Sequence, residues 1–242
     1  MYSAAFWGAI ASSSLILGAL IGLYLFIPKK IIACLMALGT GILIGASSFD
    51  LLMKSVEKSG LLFTSISFLC GSLAFTIIEI FLYRKGGSNR KRSHKNPEGH
   101  SGMAIYIGTL MDAIPESLII GLSLVNNHKV DMLFVTAIFV SNFPESLSSS
   151  VGLKKDHYPY KKILILWGSV LVISAISSSI GYLFLTNVSH TTLSFIEAFG
   201  AGGLIAMVCS TMLPEAFEQG GPIVGFLTCI GLVFSLMMST IG

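Results

Sequence analysis

Long apolar runs recur along this chain, and most of its charged residues fall between them. Of its 242 residues, 53% are hydrophobic and only 11% are charged, whereas a soluble domain carries about 25% charged residues. About 20 apolar residues cross the core of a bilayer as one helix. We therefore predict an all-α integral membrane protein that forms a single domain over residues 1–242. Its eight predicted spans lie near 4–27, 31–53, 61–83, 103–126, 132–153, 163–186, 192–213 and 222–241.

The distribution of basic residues between the spans predicts how the chain is oriented in the membrane. Cytoplasmic loops are enriched in Lys and Arg. Of the 15 Lys and Arg residues, 12 lie in the loops after spans one, three, five and seven, and 3 lie in the other loops. The first set, which includes the basic loop at 84–100, is therefore predicted to be cytoplasmic. Both termini are then extracellular, and we expect a multi-pass protein of the cell membrane.

The composition also limits the partners and the activity. The net charge of +3 belongs to the loops and gives no reason to expect a nucleic acid partner. The expected partner is the lipid bilayer, and the sequence is compatible with a homodimer. Because the chain contains neither a nucleotide-binding loop nor a His-Glu-x-x-His motif, we do not expect an enzyme.

Two internal repeats predict an inverted architecture. Residues 112–118 match residues 141–147 around a shared Pro-Glu-Ser triplet. Spans four and five cross the membrane in opposite directions, as do spans two and seven, which is typical of secondary transporters. We therefore predict a 3+2+3 bundle with spans four and five in the middle. The match of span two to span seven, at an offset of 161 residues, consists of Gly39, Gly41, Leu43, Ile44, Leu52, Glu57 and Gly60, which recur as Gly200, Gly202, Leu204, Ile205, Leu213, Glu218 and Gly221.

Carboxylates fall at membrane depth in the central pair of spans. Asp112 and Glu116 lie on one face of span four, and Asn142 and Glu145 lie at similar depth in span five. A carboxylate that faced lipid there would cost at least ~2.5–3.5 kcal/mol. Every Lys and Arg is predicted in or beside a loop, so no basic partner is expected at this depth. Two explanations for these residues remain: the carboxyl groups are protonated, or they bind a cation.

The prolines of the two triplets add oxygen ligands to this prediction. Pro115 and Pro144 leave the carbonyl groups of Met111 and Val140, four residues upstream, without their usual helical partners. Carbonyl and carboxylate oxygens suit hard divalent cations. The alternative is that the prolines only shape transmembrane helices, which tolerate them.

At these residues the chain resembles the ZIP (Zrt-/Irt-like) divalent-metal transporters. That family has His-Asn-x-Pro-Glu-Gly on its fourth helix and x-Asn-x-Pro-Glu-Gly on its fifth, where this chain has Asp-Ala-Ile-Pro-Glu-Ser at 112–117 and Ser-Asn-Phe-Pro-Glu-Ser at 141–146. The resemblance implies eight helices in a 3+2+3 arrangement with both termini outside. It places Asp112 at the position of a metal-binding His, and Glu116, Asn142 and Glu145 at further ligand positions.

The departures from the family pattern predict a modified site. Asp112 replaces a His, Ala113 replaces a coordinating Asn, and the sixth helix offers only Ser178 where the family often has a Glu. We therefore expect one metal ion rather than two. Loss of the imidazole removes a ligand that favours zinc, so the preference could shift toward manganese or ferrous iron.

The sequence thus predicts a secondary transporter whose substrate is a divalent metal ion of the zinc, manganese or iron class, moved into the cytoplasm. The alternatives are a membrane metal sensor without transport and a proton or sodium transporter that uses the same carboxylates. Other polar residues are candidates for the ion path. Asp50 and Glu79 could line an entrance, and His94 and His100 could collect metal on the cytoplasmic side. An exit vestibule could be formed by Glu197, Glu215 and Glu218, which flank span seven.

The predicted orientation can be tested with a tag fused to Gly242. We expect the tag to react with an impermeant reagent added outside intact cells, because an even number of spans puts both termini on the side opposite the basic loops. A tag that reacts only after the cells are permeabilised would contradict this orientation.

Overall fold

The computed structural model describes residues 2–84, 101–127, 130–186 and 188–241, and this part of the chain forms eight long helices without strands. Residues 85–100 of the predicted basic loop, with His94 and His100, lie outside the described residues. The helices are α1 (Tyr2–Tyr24), α2 (Lys29–Ser59), α3 (Leu61–Arg84), α4 (Ser101–Asn127), α5 (Met132–Lys155), α6 (Tyr160–Leu185), α7 (His190–Gly220) and α8 (Ile223–Ile241).

The predicted spans agree with these helices, apart from the ends of α2 and α7. Both helices continue six or more residues past the predicted boundary. Each passes through a π-helical segment, Ser47–Met53 in α2 and Val208–Met212 in α7. The prediction that Lys54 lies in a loop is therefore wrong. Its charge suggested a loop, but the helix continues, and the side chain pairs with Asp50 one turn earlier.

Short turns that contain a glycine with positive φ join two pairs of these helices. Gly60, at φ 83°, separates α2 from α3, and Gly221, at φ 70°, follows the end of α7. Residues with a Cβ atom rarely adopt this conformation. The glycines therefore allow the chain to reverse direction almost without a loop.

Seven of the eight helices described are long and apolar enough to cross a membrane, and α5 is the exception. Polar side chains such as Ser141, Asn142 and Glu145 make α5 less apolar. These side chains are buried, because α5 packs against both α1 and α2. By contrast, α3 and α8 expose large apolar side chains, as expected of helices that contact lipid. These features are those of an all-helical membrane protein.

Glycines bring the helices into backbone contact. Gly18 and Gly22 of α1 lie against the carbonyl oxygens of Phe143 and Leu147 in α5, and Gly41 of α2 lies against that of Thr228 in α8. The motifs Gly18-x-x-x-Gly22 and Gly41-x-x-x-Gly45 predict such close approach, and the contacts of Gly18, Gly22 and Gly41 confirm it. Because a Cβ atom would overlap the opposite backbone, no other residue fits without moving the helices apart.

These contacts predict which glycines the fold requires. We expect Gly41→Ala and Gly202→Ala to destabilise the protein by about 1–3 kcal/mol, since each new methyl group would overlap a carbonyl oxygen of the neighbouring helix. Gly225→Ala in α8 is the matched control, because no atom lies within 4 Å of its added Cβ. Unfolding in detergent micelles measures the difference. Equal stability of all three variants would contradict the contact geometry.

Candidate functional site

The four predicted ligand residues lie in the interior of the protein. Asp112 and Glu116 are 2% and 1% exposed on α4, and Asn142 and Glu145 are 2% and 5% exposed on α5. None therefore faces lipid, as the cost of a lipid-facing carboxylate requires. The burial agrees with the sequence analysis, which placed these side chains inside the bundle.

A hydrogen bond joins α4 to α5 at this site. The Thr109 hydroxyl donates to Oε1 of Glu145 over 3.3 Å. The buried Nδ2 of Asn142 has no hydrogen-bond partner within the described part of the chain. A buried amide without a partner is costly, so Asn142 is a polar group that a ligand or a side-chain movement could satisfy.

The three carboxylates do not form a ready metal site. Among the residues that the structure describes, no group of three or more His, Cys, Asp or Glu side chains is arranged to hold a metal ion. Binding by Asp112, Glu116 and Glu145 together therefore requires these side chains or their helices to move. The four-residue ligand set stays a prediction.

The two prolines lie inside continuous helices and do not interrupt α4 or α5. A Cβ atom added to Gly39 of α2 would lie 3.0 Å from the carbonyl oxygen of Val140, which Pro144 deprives of its helical donor. This carbonyl therefore faces the backbone of α2, where a Cα–H group can contact it. The packing of α2 on α5 thus gives the Val140 carbonyl oxygen a contact. The sequence had suggested this oxygen as a metal ligand.

The acidic residues of α7 belong to opposite ends of the helix. Oε1 of Glu197 is 3.2 Å from Nζ of Lys58, whereas Oε1 of Glu215 accepts a hydrogen bond from the Ser148 hydroxyl over 3.1 Å. Eighteen residues of helix separate the two carboxylates by about 27 Å. Glu197, Glu215 and Glu218 therefore do not form one vestibule, as the sequence analysis considered. Glu215 instead joins α7 to α5.

A charged cavity of about 130 Å³ lies where α2 and α4 end and α5 and α7 begin. Lys54 pairs there with Asp50 and Asp131, and Lys58 pairs with Glu197. Both lysines were expected in a loop, so this cluster was not predicted. Asp50 and Lys54 are four residues apart, which places them on one helix face. This spacing could have predicted their ion pair. The remaining lining residues are Leu51, Ile119, Leu122 and Ser123.

Two further candidates for the ion path make local contacts. Ser178 of α6 is fully buried between Gly8 of α1 and Gly121 of α4, where its small size allows close packing. Glu79 of α3 accepts a hydrogen bond from the Ser210 hydroxyl over 2.6 Å, which joins α3 to α7. Both residues have structural roles in these contacts.

Comparison with protein-family models gives no matching family, and a search of curated proteins gives no similar sequence. The resemblance to ZIP transporters therefore rests on the motifs of α4 and α5. It stays a prediction, and so do the ligand roles that it implies.

The contact between Thr109 and Glu145 predicts a difference between two small substitutions. Thr109→Val keeps the shape of the side chain but removes the donor, and we expect a loss of about 1 kcal/mol in the free energy of unfolding. Thr109→Ser retains the hydroxyl and should lose less. Denaturant unfolding of the purified variants measures this difference, and a Thr109→Val protein as stable as Thr109→Ser would contradict the assigned bond.

Proposed function

We propose that this protein is a secondary transporter of divalent metal ions, with Asp112, Glu116, Asn142 and Glu145 as the residues that bind the ion. The burial of three carboxylates and one amide in two adjacent membrane helices carries this proposal. Oxygen ligands of this kind suit zinc, manganese or ferrous ions, with a preference for the harder ones. Uptake into the cytoplasm is the direction expected from the family resemblance.

An inverted repeat supports a transport function, since many secondary transporters are built in this way. The π-helical segments begin at Ser47 in α2 and at Val208 in α7, which is the offset of 161 residues found in the sequence. The glycines with positive φ, Gly60 and Gly221, have the same offset. Two unusual backbone features at matching positions are stronger support than the glycines and leucines that the sequences share.

Reciprocal helix contacts support the same repeat. Gly41 of α2 lies against the carbonyl of Thr228 in α8, and its counterpart Gly202 of α7 lies against that of Phe68 in α3. In addition, α1 packs on α5 as α6 packs on α4. In the 3+2+3 arrangement that we propose, the contact of α2 with α8 corresponds to that of α7 with α3. The contact of α1 with α5 corresponds to that of α6 with α4.

Two groups of helices offer a way to move the ion. One group contains α1, α4, α5 and α6, and the other contains α2, α3, α7 and α8. The proposed ion ligands belong to the first group, and α5 contacts α2 of the second. Sliding of one group against the other would change access to α4 and α5. Since no three-carboxylate site is preformed in the described residues, the ion itself must draw the ligands together.

Ion binding should be coupled to proton release. A carboxylate must be deprotonated before it can bind a metal ion. A metal ion that enters would therefore displace protons. The lack of a preformed metal cluster favours a second candidate, a proton or sodium transporter that uses the same residues.

Flux into proteoliposomes tests the proposal. We expect uptake of zinc, manganese or iron by the unaltered protein, and at least about a tenfold loss in Glu116→Gln and Glu145→Gln, because each variant removes one charge from the ion ligands. Glu57→Gln is the matched control, since Glu57 is an exposed carboxylate on α2.

The other outcomes contradict this function in distinct ways. Metal binding without flux would favour a sensor, and flux of sodium or protons alone would favour the second candidate. Equal loss of flux in the Glu57→Gln control would show that the effect does not come from the central carboxylates.

A further inference from the structure

The charged cavity at the end of α2 contains more negative than positive groups. Its walls carry the carboxylates of Asp50, Asp131 and Glu197 and the ammonium groups of Lys54 and Lys58. The apolar side chains that also line it lower the local dielectric constant and so strengthen the attraction between opposite charges. The excess of one carboxylate makes the cavity attractive to a further cation.

Lys54 occupies the position that a small cation would take between two carboxylates. Its Nζ atom is 2.7 Å from Oδ1 of Asp50 and 3.4 Å from Oδ2 of Asp131. Asp131 also caps α5 by accepting a hydrogen bond from the amide of Phe134, which fixes its side chain. The two carboxylates thus contact the same ammonium group, and each would have to move closer to bind a divalent ion in its place, since such ions lie about 2.0–2.6 Å from their oxygen ligands.

Asp50 retains the capacity to bind another ligand. The residue is only 6% exposed, and its Oδ1 atom accepts from Lys54 and from the Ser239 hydroxyl. Its buried Oδ2 atom has no hydrogen-bond partner in the described structure. A buried carboxylate oxygen without a partner is costly, and the π-helical segment that contains Asp50 is a feature that recurs at functional sites.

Lys54 is suited to leave this position. Its side chain is 41% exposed, while that of Asp50 is 5% exposed. The lysine stem is long and flexible, so the ammonium group can swing into water, whereas the carboxylates belong to the buried walls. A divalent cation that prefers oxygen ligands could then take the place of the Lys54 ammonium group. It would bring two positive charges to the carboxylates instead of one.

We propose that this cavity is a second cation site, in which Asp50 and Asp131 bind a hard divalent ion and Lys54 is a tethered competitor for the same oxygens. The distribution of basic residues predicts that the site faces the outside. Its occupation would release α2 from Asp131 at the start of α5. The inference concerns binding at this cavity and does not depend on transport through α4 and α5.

Binding of Mn²⁺ to the purified protein in detergent tests this site. The background carries Glu116→Gln and Glu145→Gln, so that the central carboxylates do not dominate the binding. We expect Lys54→Met to bind one Mn²⁺ at least about tenfold more tightly than this background, because the competing charge is gone. Loss of the electron paramagnetic resonance signal of free Mn²⁺ measures the binding.

Two further variants define the ligands and the charge effect. Addition of Asp50→Asn to Lys54→Met should abolish the gain in affinity. Lys161→Met is the matched control, because it removes a positive charge from an exposed residue at the other end of the bundle, and it should leave the affinity unchanged. Equal affinities of Lys54→Met and its background would overturn the proposal, as would a gain that survives Asp50→Asn.

A measurement on the unaltered protein keeps the proposal testable if Lys54→Met does not fold. Saturating Mn²⁺ should free the Lys54 amine and raise its rate of acetylation severalfold, while Lys161 reacts at an unchanged rate. Mass spectrometry of the digested protein gives both rates. Labelling of Lys54 that does not respond to Mn²⁺ would show that the ion pair is only structural.

Discussion

Backbone contact between helices at glycine residues is the interaction on which the rest of this structure depends. Apolar side chains gain little by leaving lipid for the protein interior, so helices in a membrane associate through close packing and polar contacts. Gly18 and Gly22 let α1 cover the polar face of α5, and Gly39 lets α2 cover it from another side. Without these small residues, α1 and α2 could not approach the polar residues of α5 so closely.

The fold was largely predictable because membrane thickness fixes the length of a spanning helix. The ends of α2 and α7 were not predictable by the same reasoning. Charged residues usually mark a loop, but Lys54 remains helical since its partners, Asp50 and Asp131, lie within reach. The second of these partners belongs to another helix, and contacts between helices are not encoded in the spacing of residues along one of them.

The candidate site shows the same limit. Burial of Asp112, Glu116, Asn142 and Glu145 followed from the cost of exposing them to lipid, and the structure agrees. The same cost does not predict that these residues assemble around an ion. Residues on different helices converge only if helix rotation and tilt bring them together. The Val140 carbonyl is an example, since its position against Gly39 depends on how α2 crosses α5.

The short turns at Gly60 and at Gly221–Pro222 have a consequence for biogenesis. Each turn makes a helical hairpin in which one helix is largely buried in the bundle and the other is largely exposed. The helices of one hairpin pack against those of the other, because α2 packs on α8 and α3 packs on α7. Because α8 is the later helix in the chain, Gly41 and Gly45 of α2 gain their helix partner only after the second hairpin has been synthesised.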